Sequence, residues 1–271
     1  MLSHRGMVSL LVATRNLHKV GEIRAILGER FHYLTLNDFP GAPEVVEDAG
    51  TFAGNATKKA VALAGWLGGR TESVPSGADN STVAQPGQVF VLADDSGLEV
   101  DALNGAPGVH SARFAALDTG QPGNSPTAEN NAKLLKLLGN LPLDRRTARF
   151  RCVLALTPVV GQASRLPERL SVLSQGDAAE TLASTGEMRA APASPVCYAD
   201  EAELQTELFE GACEGRIVFA PRGRGGFGYD PLFVPTGYEQ TFGELSEEVK
   251  NRLSHRAEAL AKLRLWLTGK A

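Results

Sequence analysis

The stretch VSLLVATRNLHKVGEIRAILG, residues 8–28, indicates which class of fold this sequence forms. Residues 8–14 are a continuous apolar run suited to a strand in the middle of a sheet. Apolar residues then recur at helical spacing from Leu17 to Leu27, and Gly28 is a typical helix stop. The stretch therefore predicts a buried strand, a tight turn and a helix, which is the opening unit of an α/β fold.

The same alternation of apolar patterns continues along the chain. Helical spacing predicts helices at 51–68 and 127–140 and at the C-terminus. Further strands are predicted at 32–36, 88–94, 147–160 and 230–235. Residues 206–221 are predicted to form either another strand or a bent hairpin. The pattern predicts an α/β fold with a mixed sheet.

Two segments, 68–88 and 161–195, depart from this alternation. Both are rich in Gly, Ser, Ala, Pro and Thr and have little apolar periodicity. Because neither contains charge runs or repeats, we interpret them as surface insertions within one domain, 1–271, in preference to linkers between domains.

Composition narrows the class of protein. A content of 43% apolar and 21% charged residues is ordinary for a soluble globular chain, and a net charge of −4 argues against general nucleic-acid or membrane-surface binding. The three cysteines, Cys152, Cys197 and Cys213, show no CxxC spacing and predict neither a disulfide framework nor a zinc site. With no membrane span and no signal peptide expected, we predict a cytoplasmic location, and Met7 is a candidate start.

The first motif that carries chemistry is TRNLHK, residues 14–19, at the junction of the first strand and helix. Asn16 is a good helix N-cap, and Lys19 lies one turn inside the helix. The amides of a first helical turn attract anions, so the motif predicts a phosphate site. The alternative is a capped helix with a solvated lysine, and the glycines of a P-loop are absent.

The second motif is VLADDSGLEV, residues 91–100, which places two aspartates side by side. Neighbouring strand residues face opposite sides of a sheet, so Asp94 and Asp95 reach one space only if the strand ends there. Ser96 and Gly97 predict that end. A carboxylate at a strand's carboxyl end suits Mg²⁺ that also binds nucleotide phosphates. The alternative is a simple Asx-turn.

Acidic and basic residues also surround the start of the second helix. Glu47 or Asp48, just before it, is placed to join Asp95 at the same metal. Asn55 and Lys59, four residues apart, share one helix face and are predicted to reach phosphate together.

The third motif is GRGGFGYDP, residues 223–231, which formally satisfies GxGxxG. A dinucleotide fingerprint must open a helix, whereas this stretch runs through Pro231 into strand-like residues, which argues against an NAD-dependent oxidoreductase. A glycine-rich loop lets backbone approach a ligand while the Phe227 ring stacks on a base. The alternative is a hairpin whose aromatic residues simply pack.

The fourth motif is SEEVKNRLSHRAEALAKLRLWL, residues 246–267. On one unbroken helix Lys250, His255 and Arg256 point in different directions. Ser254 offers an N-cap that splits the helix and places His255 and Arg256 in a first turn beside a cleft. The alternative is one long helix with a solvated cationic face.

Taken together, these motifs resemble the inosine triphosphate pyrophosphatase family over nearly the whole chain outside the two insertions. The stretches that carry the resemblance, in the family's order, are TRNLHK, FAGNATKKA, LADDSGLEVDALNGAPGVHSARFA, GGFGYDPLFVP and LSHRAEAL. The resemblance implies a two-lobed α/β fold with a long central mixed sheet and a nucleotide cleft between the lobes. It also implies a homodimer and Mg²⁺-dependent conversion of ITP, dITP or XTP to monophosphate and pyrophosphate.

The resemblance also assigns roles to individual residues. It implies that Glu47 and Asp95 hold Mg²⁺ and that Asp95 accepts a proton, with Asp94 as second ligand or support. The residues that it implies contact the substrate are Thr14, Arg15, Asn16, Leu17, His18, Lys19, Lys59, Ser96, Phe227, Gly228, Tyr229, Asp230, Lys250, His255 and Arg256.

Two positions depart from the family pattern. Arg15 stands where the family has glycine, which puts a bulky cation near phosphate, and Gly54 stands where an acid is frequent. We expect neither departure to abolish activity. The alternative function is a non-catalytic sensor of purine nucleotides that keeps the pocket.

Selectivity for the base is expected from hydrogen-bond donors. His255 and Arg256 suit the carbonyl at position six of a deaminated purine, and an adenine amino group leaves them unpaired. Guanine shares that carbonyl, so its exclusion depends on position two, and no residue of the sequence is assigned to that discrimination.

Overall fold

The computed structural model describes most of the chain, namely residues 8–69, 89–120, 122–159 and 205–269. The predicted insertion at 161–195 lies outside the described residues, and so do 70–88 of the other insertion, Met7 and Cys197.

Within the described residues the chain forms six strands and five α-helices. The strands are β1 Ser9–Val12, β2 His32–Thr35, β3 Val89–Val100, β4 Thr147–Pro158, β5 Glu207–Ile217 and β6 Phe233–Pro235. The helices are α1 Leu17–Leu27, α2 Phe52–Gly68, α3 Thr127–Leu138, α4 Glu247–Leu253 and α5 His255–Gly269. None of these helices combines the length and the apolar character that crossing a membrane requires.

The strands form one mixed sheet, as predicted, and its strand order is β2-β1-β3-β4-β5-β6. Strand β1 is parallel to β2 and β3, and the remaining pairs are antiparallel. Strand β1 has 4 residues and β3 has 12, so β3 continues far beyond the carboxyl end of β1. Beyond Leu92, β3 has no partner residue on β1, and loops and side chains occupy the space beside this open stretch of β3.

Three apolar clusters fill the two faces of the sheet. On one face α2 covers β1, β3 and β4, with Ala56, Ala60 and Leu63 fully buried. On the opposite face α1 and α5 cover the same strands. The third cluster joins the far ends of β3 and β4 to β5, β6 and α3, and forms the second lobe of the α/β fold.

The structure corrects the prediction that β3 ends at Ser96 and Gly97. The strand continues to Val100, because β4 provides a full-length antiparallel partner that pairs with both residues. Asp94 and Asp95 therefore lie on opposite faces of the sheet, each buried.

Gly97 permits a close packing contact at this point of β3. A Cβ there would lie 2.5 Å from the carbonyl oxygen of Gly108 and from Oγ of Ser111, on the 3₁₀ helix Gly108–Arg113. The glycine thus marks a close approach of backbone to backbone and does not mark the end of the strand.

The predicted break at Ser254 is confirmed. Its Oγ accepts a hydrogen bond from the amide of Ala257, 3.1 Å away, and caps α5 directly after α4. Gly211 of β5 lets this turn approach the sheet, since a Cβ there would lie 2.1 Å from the carbonyl oxygen of His255. Because of the break and the glycine, His255 and Arg256 lie close against the sheet and are buried.

Candidate active site

The TRNLHK turn lies between β1 and α1, beside the open stretch of β3. Asn16 caps the helix, and its Oδ1 accepts from the amides of His18 (2.9 Å) and Lys19 (3.4 Å). Thr14 Oγ1 accepts from the Asn16 amide at 3.1 Å. Among the described residues, the Leu17 amide is left without an acceptor, so the turn keeps part of its capacity for an anion.

Asp94 is the counter-ion of two cations. Its carboxylate pairs with the Lys19 ammonium and accepts from Nε of Arg256 at 2.8 Å and from Oγ of Ser96 at 2.9 Å. Burial alone raises the pKa of Asp94, but Arg256 and Lys19 bring that pKa well below its usual 3.8. Asp94 supports the site from the face opposite to Asp95.

Asp95 lies on the α2 face among different partners. Nδ2 of Asn55 donates to its Oδ2 at 2.9 Å, and the carboxylate of Glu47, which pairs with Lys59, acts on Asp95 electrostatically. The pKa of Asp95 is raised to about 6, chiefly by burial and in smaller part by Glu47, while the Asn55 hydrogen bond, Lys19 and Lys59 oppose the rise. Lys19 thus influences the carboxylates on both faces of β3.

Glu47 and Asp95 together suit a divalent cation. In the four described ranges no three His, Cys, Asp or Glu side chains cluster as a complete metal cage. Mg²⁺ needs no such cage, because it is usually held by one or two carboxylates together with substrate phosphates. Burial and the charge of Glu47 both raise the pKa of Asp95, and a divalent cation held by the two carboxylates would offset their repulsion. Asp48, the alternative to Glu47, is exposed and pairs with Lys58.

Asn55 has a different role from the one its spacing predicted. It is 1% exposed, its amide nitrogen donates to Asp95, and its Oδ1 accepts from the amide of Ala49 at 2.9 Å. Asn55 therefore orients Asp95 and the segment before α2, which contradicts the prediction that it reaches phosphate together with Lys59.

The Phe227 ring lies among cations at the other end of the site. The His18 ring stacks on it at a centroid distance of 6.1 Å, with 28° between the planes. Nζ of Lys250 lies 4.6 Å and Cζ of Arg256 5.8 Å from its centroid. An aromatic face with cations around it is a typical platform for a nucleobase.

The loop that carries Phe227 is held by Asp230. Its Oδ2 accepts from the Phe227 amide at 2.8 Å and from Nζ of Lys250 at 2.7 Å. Gly226 has a φ of +72°, and a Cβ there would lie 2.1 Å from the same oxygen. The glycines therefore belong to a loop that leads into β6 and opens no helix, as the rejection of a dinucleotide fingerprint predicted.

Two other loop residues turn away from the cleft. The Tyr229 side chain is 4% exposed, and its hydroxyl donates to the carbonyl oxygen of Ser111 at 2.9 Å. The carbonyl oxygen of Gly228 accepts from Nδ2 of Asn131 at 3.3 Å. Tyr229 thus anchors the loop through its side chain.

Sequence reasoning missed Glu22, which joins the two buried cations. One carboxylate oxygen lies 2.9 Å from Nζ of Lys250, and the other pairs with the Arg256 guanidinium. Burial lowers the pKa of Lys250, but Asp230 and Glu22 outweigh that effect and raise it, so the ammonium is charged. The available signal was the spacing of three residues from Lys19, which puts both on one helix face.

His255 is buried as a neutral imidazole. Its ring stacks on Phe150 at 4.9 Å with 13° between the planes, and its Nδ1 has no hydrogen-bond partner among the described residues. Burial, reinforced by the charge of Arg256, lowers the pKa of His255 well below the usual 6.5. A neutral imidazole is both donor and acceptor, which suits the edge of a base.

This burial predicts a loss of stability in mild acid. Below pH 6.5 the unfolded chain binds a proton at His255 that the native protein does not bind, so the contribution of His255 to the free energy of unfolding falls by up to about 1.4 kcal/mol per pH unit. The raised pKa of Asp95 acts in the opposite direction over the same range. Urea unfolding from pH 7 to pH 5 measures the slope. His255→Phe retains a ring against Phe150 but lacks this contribution, so its free energy of unfolding should fall less with decreasing pH than that of wild type. Equal slopes in the two proteins contradict the prediction.

Comparison with known proteins shows which family this chain belongs to. A family model described as the Ham1 family matches residues 10–170 and 174–266. The chain belongs to the Ham1 family. The dITP/XTP pyrophosphatase of Desulforamulus reducens is 40% identical over 256 residues, covering 94% of this chain and 93% of that protein. The dITP/XTP pyrophosphatase of Geobacter sulfurreducens is 39% identical over 259 residues, covering 95% and 96%.

Solved Ham1 structures share the fold. A HAM1 protein from Coxiella burnetii superposes with a TM-score of 0.66 at 28% identity, covering 97% of this chain and all of that one. A nucleoside-triphosphatase / dITP/XTP pyrophosphatase from Mycobacterium abscessus gives 0.56 at 31% identity, covering 94% and 98%. The family resemblance and the α/β fold class inferred from the motifs are thereby confirmed.

In this Ham1 protein the motifs that contain the predicted site residues come together at one place. The side chains of Asp94 and Asp95 occupy opposite faces of β3, but both lie just past the last residue of β1. Arg15 and Leu17 are exposed on the turn next to them. The TRNLHK turn, the acidic pair and the Phe227 loop thus meet around the open stretch of β3.

Proposed function

We propose that the chain hydrolyses deaminated purine nucleoside triphosphates, namely ITP, dITP and XTP, to the monophosphate and pyrophosphate. The observation that carries the proposal is that Asp94 pairs both with Lys19 of the TRNLHK turn and with Arg256 beside the Phe227 ring, which joins the phosphate motif to the base motif. The names of the relatives, dITP/XTP pyrophosphatases, support the same substrates. Removing these nucleotides prevents their incorporation into DNA and RNA.

Glu47 and Asp95 would hold Mg²⁺, which when bound neutralises charge on the phosphates and polarises the phosphorus under attack. Asp95 then orients and deprotonates the attacking water. In the free site the Asp95 pKa of about 6 leaves the carboxylate largely ionised at pH 7, and this is the charged form that binding a cation and accepting a proton both require.

Lys19 and Lys59 offset the negative charge that develops on pyrophosphate as it leaves. Both ammonium groups are already held near the site by carboxylates, Lys19 by Asp94 and Lys59 by Glu47. Such preorganised charges need little rearrangement when the transition state forms. The free amide of the TRNLHK turn adds a donor for the triphosphate.

Base selection follows from the charges around Phe227. Arg256 and Lys250 are donors only, and both are charged, so they favour a carbonyl oxygen on the base edge. Adenine presents an amino group at that position and leaves a buried donor unpaired. Sites that require a hydrogen bond discriminate by about 10⁴-fold or more against analogues that lack it.

The test is release of pyrophosphate from ITP, dITP, XTP, ATP and GTP, each with and without Mg²⁺. We expect Mg²⁺-dependent turnover of the first three and little turnover of ATP. Equal rates for all five nucleotides would contradict the proposed selectivity, and no release from any would contradict the proposed reaction.

Phe227→Ala should weaken substrate binding more than it slows chemistry. Stacking of a base on an aromatic ring contributes about 1–3 kcal/mol, so KM for ITP should rise about tenfold with kcat within about threefold of wild type. Steady-state kinetics measure both constants. Leu265→Ala, an exposed apolar residue of α5, is the control. An unchanged KM in Phe227→Ala rules out the stacking role.

Three further properties belong to this proposal. The resemblance supports a homodimer, a cytoplasmic location and a single domain over 1–271 with two surface insertions. Sedimentation equilibrium tests the first directly, since a mass of twice 28.7 kDa is expected. A monomeric mass contradicts it.

A further inference from the structure

The segment that carries Glu47 has no secondary structure of its own. Residues 43–50 form neither helix nor strand, and among the described residues their backbone makes no hydrogen bond to other backbone. The position of the Glu47 carboxylate therefore depends on side chains that reach this segment from elsewhere. One is Asn55, which accepts from the Ala49 amide.

The other backbone anchor is Arg113, at the end of the 3₁₀ helix Gly108–Arg113. Its Nη2 donates to the backbone carbonyl oxygen of Glu47 at 3.1 Å. Within the described ranges the half-buried Arg113 guanidinium pairs with no carboxylate, so it is not serving as a counter-ion. The contact therefore holds the main chain of Glu47, whose carboxylate is close enough to Asp95 to raise the pKa of that aspartate.

Arg113 comes from a firmly braced segment. Oγ of Ser111 accepts from the Leu98 amide of β3 at 2.9 Å and donates to the carbonyl oxygen of Gly108 at 2.6 Å. The Tyr229 hydroxyl donates to the Ser111 carbonyl, and Asn130 of α3 donates to that of Ala112. Through this guanidinium, the irregular segment 43–50 is held by a helix that is itself fixed to β3 and α3.

The 3₁₀ helix Gly108–Arg113 also contacts both ends of the site. The Tyr229 hydroxyl ties it to the loop that carries Phe227, and Arg113 ties it to Glu47. A displacement of either end is therefore resisted by the same short helix.

We propose that Arg113 is a positioning residue, which sets the Glu47 carboxylate for a divalent cation by holding the backbone of residues 43–50. The inference rests on the proposed function for the identity of the reaction, but not for the binding of the cation. Contacts that orient a metal ligand typically change metal affinity by about 10- to 100-fold when removed.

The test compares Arg113→Met with Arg113→Lys and with Lys58→Met. Methionine retains an unbranched stem without a donor, whereas lysine keeps one donor for the carbonyl. Lys58→Met is the matched control, because Lys58 pairs with Asp48 in the same segment and leaves the Glu47 backbone bond intact. The probe is Mn²⁺ alone, titrated by electron paramagnetic resonance without nucleotide.

We expect Arg113→Met to weaken Mn²⁺ binding about tenfold, Arg113→Lys to restore most of the loss and Lys58→Met to match wild type. With ITP, Arg113→Met should raise the Mg²⁺ concentration for half-maximal rate by a similar factor, with kcat at saturating Mg²⁺ within about threefold. A merely structural role lowers the unfolding temperature of both arginine variants without separating their Mn²⁺ affinities.

Wild-type affinity for Mn²⁺ in Arg113→Met overturns the inference, and so does equal weakening in Arg113→Met and Arg113→Lys. If Arg113→Met does not fold, Arg113→Gln takes its place. Because glutamine keeps an amide donor on a shorter side chain, its Mn²⁺ affinity is expected to lie between that of wild type and that of a variant without a donor. If the wild-type protein binds Mn²⁺ but releases no pyrophosphate, the proposed function is contradicted and the inference about Arg113 is not. The Mn²⁺ titration of the variants still tests that inference.

Discussion

Asp95→Asn is expected to lower the rate of pyrophosphate release from ITP by about 10³-fold, the scale of a lost general base. Asparagine has nearly the same shape, and its carbonyl oxygen still accepts from Asn55, so the fold should persist. What disappears is the negative charge that attracts a cation and takes a proton from water. The rate is measured at saturating Mg²⁺ and ITP.

The same variant separates an enzyme from a non-catalytic nucleotide sensor. Binding of ITP to Asp95→Asn, measured by calorimetry, should stay within about tenfold of wild type, because the base end of the site is untouched. Asp118→Asn, at an exposed carboxylate that pairs with Lys133, is the control for loss of a charge. Turnover of Asp95→Asn at the wild-type rate excludes Asp95 as the base.

Arg256→Met is expected to lower the free energy of unfolding by about 3–5 kcal/mol, the usual cost of breaking a buried ion pair. Arg256 is 1% exposed and pairs with Asp94 and Glu22, which are left beside a neutral side chain in the variant. Lys19 and Lys250 compensate part of this charge, so the lower end of the range is expected. Urea unfolding at pH 7 measures the change.

Arg252→Met provides the matched control, since Arg252 is exposed on α4 only four residues away. Its free energy of unfolding should stay within about 0.5 kcal/mol of wild type. The double variant Asp94→Leu, Arg256→Met removes one of the stranded carboxylates and should regain part of the loss. A difference below about 1 kcal/mol between Arg256→Met and wild type contradicts the central place of this guanidinium.

Local patterns predicted most of the secondary structure. Apolar periodicity located α1, α2 and α3, and continuous apolar runs located β1 and β4, because these patterns follow from the periods of helix and strand. Capping chemistry at Ser254 predicted the division of the last helix, because a cap acts within one turn. These signals need no knowledge of distant residues.

The length of β3 was beyond such reasoning. Ser96 and Gly97 read locally as a turn, but an antiparallel partner of equal length keeps them in the strand. Strand length is decided by the neighbour that satisfies the backbone, and that neighbour is β4, more than fifty residues later in the chain. The same fact separates Asp94 from Asp95.

The sequence by itself determined the α/β class, the split of the C-terminal helix and, through motifs in a fixed order, membership of the Ham1 family. Only the tertiary structure decided that Asp94 pairs with Lys19 and Arg256 while Asp95 accepts from Asn55, and that Glu22 meets Arg256 across 234 positions. The physical reason is that burial and ion pairing depend on which surfaces pack together. Neighbours along the chain do not specify that packing.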